Sequence, residues 1–343
     1  MTDTRAQAEF ALAWALRFLG RLEERAGPGR EPRAVILAYH RILPRERLRD
    51  PSLLEDLVTP VESFAAQVKV LAGRHSVLPL EELVRSLRED RKLPERCVCI
   101  TLDDGYADNY LHAFPLLRKH RLPATIFLST GFIGGGRGLF WWDEICRWRA
   151  AGAAWVELEG LGRCDVRTLA QRDRLLADLK RLPMDAILDR VRAASARLGL
   201  GSGPNAEEGF LTWDQVREMQ KDGISFGAHT VSHCLLPRET SERRGLEIRQ
   251  SRADLQRETG RPCTLFCYPN GVCDEETRRE VIAAGYEGAM ATIPRDVLPD
   301  SDLHRLPRKT VNFRTGMTVF RFKLSPHPER IKRLLEPAAG SSA

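Results

Sequence analysis

The chain has 343 residues, of which 43% are hydrophobic and 29% charged, a composition typical of a folded globular protein. Its formal net charge of +6 is the small difference between 53 basic and 47 acidic residues, which are interleaved along most of the chain. No basic block with interleaved aromatic residues is present, so the sequence argues against a nucleic-acid-binding protein.

The first 30 residues are expected to form a helix followed by a linker. Phe10, Trp14 and Leu22 recur at helical spacing, while Arg17 interrupts the most apolar stretch. That stretch is shorter than the roughly 20 apolar residues of a membrane span, and it lacks the features of a secretory signal. We therefore predict a cytoplasmic protein with an amphipathic N-terminal helix over residues 6–25. This helix either packs on the protein itself or makes peripheral contact with a membrane.

Beyond a Gly-Pro-Gly linker, apolar runs typical of buried strands alternate with segments in which apolar residues recur at helical spacing. The predicted strands are 34–39, 97–102 and 124–129, and the predicted helices are 63–71, 80–87 and 109–120. Strand, helix and strand at these lengths are typical of parallel βαβ units.

Residues 143–208 interrupt this alternation. They are rich in Arg, Asp, Leu and Ala, and they predict helices at 167–182 and 184–198, so we interpret them as a helical insertion. The alternation then resumes, with predicted helices at 212–222, 239–259 and 274–284 and predicted strands at 224–228, 263–268 and 286–292. The sequence therefore predicts an α/β domain over residues 31–325, with 326–343 as a C-terminal tail.

Conspicuous polar residues fall where the predicted strands end. They are His40, Asp103, Asp104, His229 and Asn270. In an α/β barrel the active site is assembled at the C-terminal ends of the strands, so this placement favours a functional site.

Two adjacent carboxylates at the end of a buried strand need compensation, which a divalent cation can supply. His229 and His233 are four residues apart, a spacing that would place both imidazoles on one side of a helical turn. Two imidazoles and one of the carboxylates leave coordination positions open, as a catalytic metal site requires. The other acid, from Asp103 or Asp104, is then free to act as a general base. This donor set suits Zn²⁺, and also Co²⁺, Ni²⁺ or Fe²⁺.

Three segments of the chain resemble the motifs of one known family. Thr101-Leu-Asp-Asp-Gly105 and His229-Thr-Val-Ser-His233 resemble the first two motifs of the polysaccharide deacetylase family (carbohydrate esterase family 4, NodB homology). Phe266-Cys-Tyr-Pro-Asn-Gly271 is similar to its third motif. The resemblance extends over residues 33–313, apart from much of the insertion. It implies a distorted (β/α)7-type barrel and the hydrolytic removal of an N-acetyl group from an amino sugar.

The resemblance also implies roles for individual residues. Asp103 would be the base, and Asp104, His229 and His233 would hold the metal. Substrate contacts are expected from Tyr268, Pro269 and Asn270, with a backbone N–H near Asn270 stabilising the oxyanion of the reaction.

The chain departs from the family pattern at several positions. Cys267 stands where many members have an arginine that orients the base, and we expect Arg308 to supply the missing guanidinium. Asn270 replaces a tyrosine. The family's usual late histidine, a general acid, has no clean match, so His40 and His304 are the candidates, with His40 favoured because it ends a strand.

Our leading hypothesis is a metal-dependent carbohydrate N-deacetylase that acts within a glycan or on a lipid- or nucleotide-linked intermediate. A glycan-binding protein without activity and a deformylase of a lipid-linked amino sugar are the alternatives. Trp141 and Trp142 either stack on sugar rings or pack in the core.

Overall fold

The computed structural model describes residues 33–200 and 209–325, with a parallel β-sheet at the centre and helices packed around it. The strands of this part of the chain are β1 (Ala34–Tyr39), β2 (Arg41–Leu43), β3 (Val58–Pro60), β4 (Ser76–Val77), β5 (Cys97–Leu102), β6 (Ala124–Leu128), β7 (Trp155–Leu158), β8 (Gly162–Asp165), β9 (Ile224–Ala228), β10 (Leu265–Cys267), β11 (Gly288–Met290) and β12 (Lys309–Thr310). The helices are α1 (Val61–Arg74), α2 (Leu80–Arg88), α3 (Phe114–His120), α4 (Trp141–Ala150), α5 (Leu169–Leu179), α6 (Met184–Arg197), α7 (Trp213–Lys221), α8 (Ser241–Thr259), α9 (Glu275–Ala283) and α10 (Met317–Leu324).

The main sheet runs in the order β11-β10-β9-β6-β5-β1-β12, and the short β4 pairs with β5. Its strand pairings are parallel throughout. A parallel bridge between Met290 in β11 and Leu306, just before β12, joins the two edges of the sheet. The sheet therefore curls into a distorted barrel, and the predicted α/β barrel fold is confirmed.

Parallel strands covered on both faces read as continuous apolar runs, and β1 and β5 are buried at every residue. Alternate residues of β1 enter two different clusters. Val35 and Leu37 pack with Phe64 of α1 on the helix-covered face. Ile36 packs with Cys99 in the barrel interior. Both faces of β1 and β5 are filled by packed apolar side chains. The polar residues that follow these strands therefore lie at the rim of the barrel.

Most of the strand and helix predictions are confirmed, including β1, β5 and β9. The predicted helix at 109–120 begins with one π-helical turn, Asn109–Ala113, and continues as α3. Within residues 143–208, the two predicted helices are confirmed as α5 and α6, but the segment is not built of helices alone. It also contains an antiparallel hairpin of β7 and β8. The division of the chain into the predicted domain, insertion and tail remains a proposal.

Residues around α5 and α6 lie against loops at the C-terminal rim of the barrel. Arg172, fully buried, donates to Glu55 at 2.8 Å, and Lys180 donates to Asn270 at 3.3 Å. The backbone N–H of Met184 donates to Glu239 at 2.7 Å. These contacts place the segment beside the rim where the strand-end residues collect.

The predicted N-terminal helix over residues 6–25 lies outside the described residues. The membrane contact and the cytoplasmic location inferred from it stay predictions. Among the helices of residues 33–200 and 209–325, none has the length and apolar character to cross a membrane.

Candidate active site

The site begins where β5 ends, at Asp103 and Asp104. The N–H of Asp103 still donates to Tyr39 of the neighbouring strand at 2.9 Å, but Asp104 and Gly105 have φ values of 77° and 78°. A Cβ on Gly105 would lie 2.7 Å from the Leu128 side chain, so only glycine fits this left-handed position. The sharp turn leaves both carboxylates buried, with exposed fractions of 2% and 1%.

Asp103 is held by a guanidinium. Arg308, itself buried, donates from Nη1 to Oδ1 and from Nη2 to Oδ2, both at 2.7 Å. Burial alone would raise the pKa of Asp103, but the Arg308 guanidinium outweighs it and holds that pKa well below its usual range. Asp103 is therefore ionised at neutral pH. The structure brings Arg308 to the carboxylate that it was expected to orient.

Cys267 shares this contact. Its Sγ lies 3.6 Å from Asp103 Oδ2 and accepts a hydrogen bond from Arg308 Nη2 at 3.0 Å. Burial raises the pKa of the Cys267 thiol well above its ordinary value, so the thiol stays protonated and donates to the carboxylate. A neutral side chain at the end of β10 thus lies beside Asp103, while the guanidinium comes from the residue that precedes β12.

Asp104 faces the two histidines. Its Oδ1 lies 3.3 Å from His233 Nε2 and 3.6 Å from His229 Nε2. Nδ1 of His229 lies 2.7 Å from the carbonyl of Cys267, a contact that fixes the ring and aims Nε2 at Asp104. Burial, and next the neighbouring His233, lower the pKa of His229 to about 4, so the imidazole is neutral. A neutral imidazole is the form that binds a metal.

These three side chains fit a divalent metal. Within the described part of the chain, Asp104 Oδ1 is buried and has no hydrogen-bond partner. Ligand atoms at 2.0–2.1 Å from a tetrahedral metal lie about 3.3–3.4 Å apart, close to the two distances observed here. A second group of possible ligands, Asp103, His229 and Cys267, is also compact. It fits less well, because Arg308 already engages both oxygens of Asp103 and the thiol is protonated.

The expectation that His229 and His233 share a helical turn is wrong. Residues 229–233 form a loop in which Thr230 and His233 have φ values of 64° and 58°. Such a backbone is strained for a β-branched threonine, at a cost of about 1–3 kcal/mol per residue. This loop, and not helical periodicity, brings the two ring centroids within 4.7 Å.

The two candidate general acids, His40 and His304, have different surroundings, and of the two His40 lies beside the carboxylates. His40 Nε2 lies 3.8 Å from Asp103 Oδ2, and its side chain is 21% exposed, so it lies at the solvent side of the carboxylates. Asn109 donates to the His40 carbonyl at 2.8 Å and anchors the strand end. His304 is engaged elsewhere, with Nε2 2.9 Å from the Tyr286 carbonyl.

The predicted substrate-binding residues are only partly accessible. Tyr268 is buried and donates its hydroxyl to the His304 carbonyl at 2.9 Å, and Pro269 is buried as well. Asn270 is exposed and lies in the left-handed region with φ 54°. Its side-chain oxygen accepts a hydrogen bond from Lys180. Of the three predicted substrate-binding residues, Asn270 is the one whose side chain is exposed to solvent.

The His233 side of the site is walled by aromatic residues and a buried acid. Trp142 lies 4.7 Å from the His233 ring centroid, and its Nε1 donates to the Tyr106 hydroxyl at 3.1 Å. That hydroxyl donates to Asp143 at 2.9 Å. Trp141 and Trp142 are both buried, so packing is their observed role. Sequence reasoning missed Tyr106 and Asp143, because neither has a distinguishing sequence signal beyond proximity to a motif.

The comparisons with known proteins agree on one family. A family model described as "Polysaccharide deacetylase" matches residues 90–289. The chain is 25% identical over 278 residues to YxkH of Bacillus subtilis, whose own assignment as a polysaccharide deacetylase is provisional; the match covers 81% of this chain and 71% of that protein. It is 35% identical over 109 residues to a poly-β-1,6-N-acetyl-D-glucosamine N-deacetylase of Staphylococcus epidermidis, covering 29% of this chain and 37% of that protein.

Solved structures support the same fold. The deacetylase PplD of Streptococcus pyogenes, in complex with acetate, superposes with a TM-score of 0.59 at 19% identity, covering 87% of this chain and 100% of that one. IcaB from Ammonifex degensii gives a TM-score of 0.55 at 18% identity, covering 86% of this chain and 98% of that one. At these identities the likeness bears on the fold alone.

We predict that Arg308→Met lowers the free energy of unfolding by about 3–5 kcal/mol near neutral pH, because it leaves the buried Asp103 carboxylate uncompensated. Adding Asp103→Asn should restore most of this loss, as chemical denaturation of the two single variants and the double variant will show. Arg314→Met, at a position where the side chain is 66% exposed, is the control. Additive losses in the double variant would contradict the pairing.

The second prediction concerns Asp143. Burial, with Asp104 adding to it, raises the pKa of Asp143 to about 7, whereas an unfolded aspartate titrates near 4. The folded protein therefore binds the extra proton between about pH 4 and 7, and stability is lost as the pH rises through this window. Asp143→Asn should remove this fall, which amounts to at most about 4 kcal/mol. Denaturation of both metal-free proteins across this range measures it, and a pH-independent difference between them would refute the assignment.

Proposed function

The chain belongs to the polysaccharide deacetylase family of metal-dependent hydrolases that remove N-acetyl groups from glycans, and we propose that its substrate is a glycan of N-acetylglucosamine. The support comes from the Staphylococcus relatives, which are named poly-β-1,6-N-acetyl-D-glucosamine N-deacetylases and are 29–35% identical over 109–113 residues. The main support for the catalytic assignment is the pair of buried carboxylates at the end of β5, of which Asp103 is bound by Arg308 and Asp104 faces the two histidines.

We assign the metal to Asp104, His229 and His233, and we propose zinc, because two imidazoles and one carboxylate are a common zinc donor set. When bound there, the metal supplies a Lewis acid that polarises the acetyl carbonyl and makes water easier to deprotonate. The unpartnered Oδ1 of Asp104 and the fixed Nε2 of His229 support this assignment.

Asp103 is the proposed general base. It takes a proton from the water whose oxygen attacks the acetyl carbon. The two hydrogen bonds from Arg308 and the Cys267 thiol keep the carboxylate ionised and fix its orientation. Both oxygens of Asp103 are engaged by Arg308, whereas Oδ1 of Asp104 has no hydrogen-bond partner, so Asp104 is the acid better placed to ligate the metal and Asp103 is left as the base.

His40 is the proposed general acid. When the C–N bond breaks, its imidazolium gives a proton to the departing amine, and acetate is released. Its position 3.8 Å from Asp103, on the solvent side of the site, supports this role. We further propose that a backbone N–H near Asn270 donates to the oxyanion, and that the segment Tyr268, Pro269 and Asn270 contacts the sugar largely through its backbone and the Asn270 side chain.

The test is acetate release from poly-β-1,6-N-acetylglucosamine and from N-acetylglucosamine oligomers by zinc-loaded protein. Asp103→Asn should lower kcat by about 10²–10⁴-fold, the usual contribution of a positioned base, while zinc binding is retained. His40→Gln should lower kcat comparably. Asp214→Asn, at a position where the side chain is 92% exposed, serves as control.

Two outcomes would overturn the proposal. Glycan binding by the wild-type protein without acetate release would indicate a binding protein. Release of formate from a formylated amino sugar, with no acetate from any acetylated glycan, would indicate a deformylase.

A further inference from the structure

A buried carboxylate outside the site described above lies behind the two histidines. Glu247, on α8, is fully buried, a rare position for a glutamate unless donors compensate its charge. Its Oε2 accepts from the backbone N–H groups of Val231 and Ser232 at 2.8 Å and 2.9 Å. Its Oε1 accepts from the Ser232 hydroxyl at 2.7 Å and pairs with Arg243 at 3.1 Å. Four donors thus converge on one carboxylate.

The two backbone donors sit at a particular place in the chain. Val231 and Ser232 are the residues between Thr230 and His233, which are the two left-handed residues of the loop. Strained conformations persist only where the surroundings over-determine them. Glu247 supplies such a restraint on the N–H side of the loop, because it binds the peptide groups between the two strained residues.

The carbonyl side of the same loop is held by the turn after β6. The Ser129 hydroxyl donates to the His229 carbonyl at 3.0 Å, and the N–H groups of Thr130 and Gly131 donate to the next two carbonyls at 3.1 Å and 2.9 Å. A Cβ on Gly131 would lie 2.7 Å from the last of these carbonyls, so this close approach requires glycine. The loop is therefore bound on both of its polar edges.

We propose that Glu247 is a positioning residue for metal binding. By binding the peptide groups of Val231 and Ser232, it keeps the loop in the conformation in which His229 and His233 both aim Nε2 at Asp104. It does not touch the metal or the substrate. The inference rests on the proposed metal ligands, and it assigns their relative placement to an acid 14 residues beyond the second histidine.

The experiment compares zinc affinity in full-length wild-type, Glu247→Gln and Glu247→Ala proteins by competition with a chelator. Groups that hold metal ligands in place typically contribute 10–100-fold in affinity, so Glu247→Ala should weaken zinc binding by at least about 10-fold. Glu247→Gln should fall between it and the wild type, because an amide oxygen still accepts from the backbone N–H groups. In metal-free protein, hydrogen exchange at Val231 and Ser232 should accelerate in the same order.

Glu280→Gln is the matched control. Glu280, on α9, pairs with Arg244, which lies on the same helix as Glu247. The substitution therefore removes an ion pair of α8 at a residue that does not bond to residues 229–233. It should change stability while leaving zinc affinity and exchange at Val231 and Ser232 near wild-type values. If Glu247→Ala does not fold, Ser232→Ala replaces it; this variant removes one donor to Glu247 and should weaken zinc binding by a smaller factor.

Two results would overturn the inference. One is zinc affinity in Glu247→Gln and Ser232→Ala equal to that of the wild type. The other is a loss of affinity in Glu280→Gln as large as in Glu247→Gln, because Glu247 would then act only through general stability. Because zinc binding and exchange are measured without substrate, a wild-type protein that binds zinc but releases no acetate would refute the proposed function and leave this inference intact.

Discussion

Two adjacent carboxylates are buried at the end of one barrel strand, and the rest of the site is arranged around that constraint. A buried carboxylate is tolerated only with hydrogen bonds and opposite charge close by. Asp103 meets this requirement with the Arg308 guanidinium, which occupies both of its oxygens. Asp104 faces two imidazoles, and its buried Oδ1 has no hydrogen-bond partner in the described structure. Two neighbouring aspartates thereby differ in their surroundings, because both oxygens of Asp103 are engaged while Oδ1 of Asp104 is free of hydrogen bonds.

The order of strands in the barrel explains how distant residues meet at this point. Arg308 precedes β12, which pairs with β1, and β1 in turn pairs with β5, where the acids stand. His229 follows β9, and its ring is fixed by the carbonyl of Cys267 at the end of β10. The two acids therefore come from the end of β5, the two histidines from the loop after β9 and the guanidinium from the residue before β12, while the strands themselves supply the apolar core. The hydrogen bonds of Glu247 to Val231 and Ser232 add a contribution from α8, a helix on the outside of the barrel.

Much of this arrangement could be predicted from the sequence, because the signals are local. The apolar run of β5 ends abruptly at Asp103, and His229 directly follows β9. Because barrel sites form at the C-terminal ends of the strands, the strand predictions place these residues at one rim. The contact of Arg308 with Asp103 joins residues that are 205 apart in the chain, and the cysteine at position 267 is the sequence feature that points to it. The helical turn predicted for the two histidines is wrong. A spacing of four residues fits a helix, but it carries no information about residues held at positive φ. Glu247 and Asp143 depend on tertiary contacts for which no local pattern codes. The β7–β8 hairpin does have a local signal, because exposed and buried residues alternate along Trp155–Leu158 and glycines follow at the turn.

We propose different roles for the two carboxylates, with Asp104 ligating the metal and Asp103 reserved for proton transfer. Anomalous diffraction from crystals of zinc-loaded protein would show which carboxylate lies beside the metal. We expect one zinc ion about 2.0–2.1 Å from Nε2 of His229, Nε2 of His233 and a carboxylate oxygen of Asp104, with Asp103 still bound to Arg308. A zinc ion ligated by Asp103, or one held by Asp103, His229 and Cys267, would contradict it.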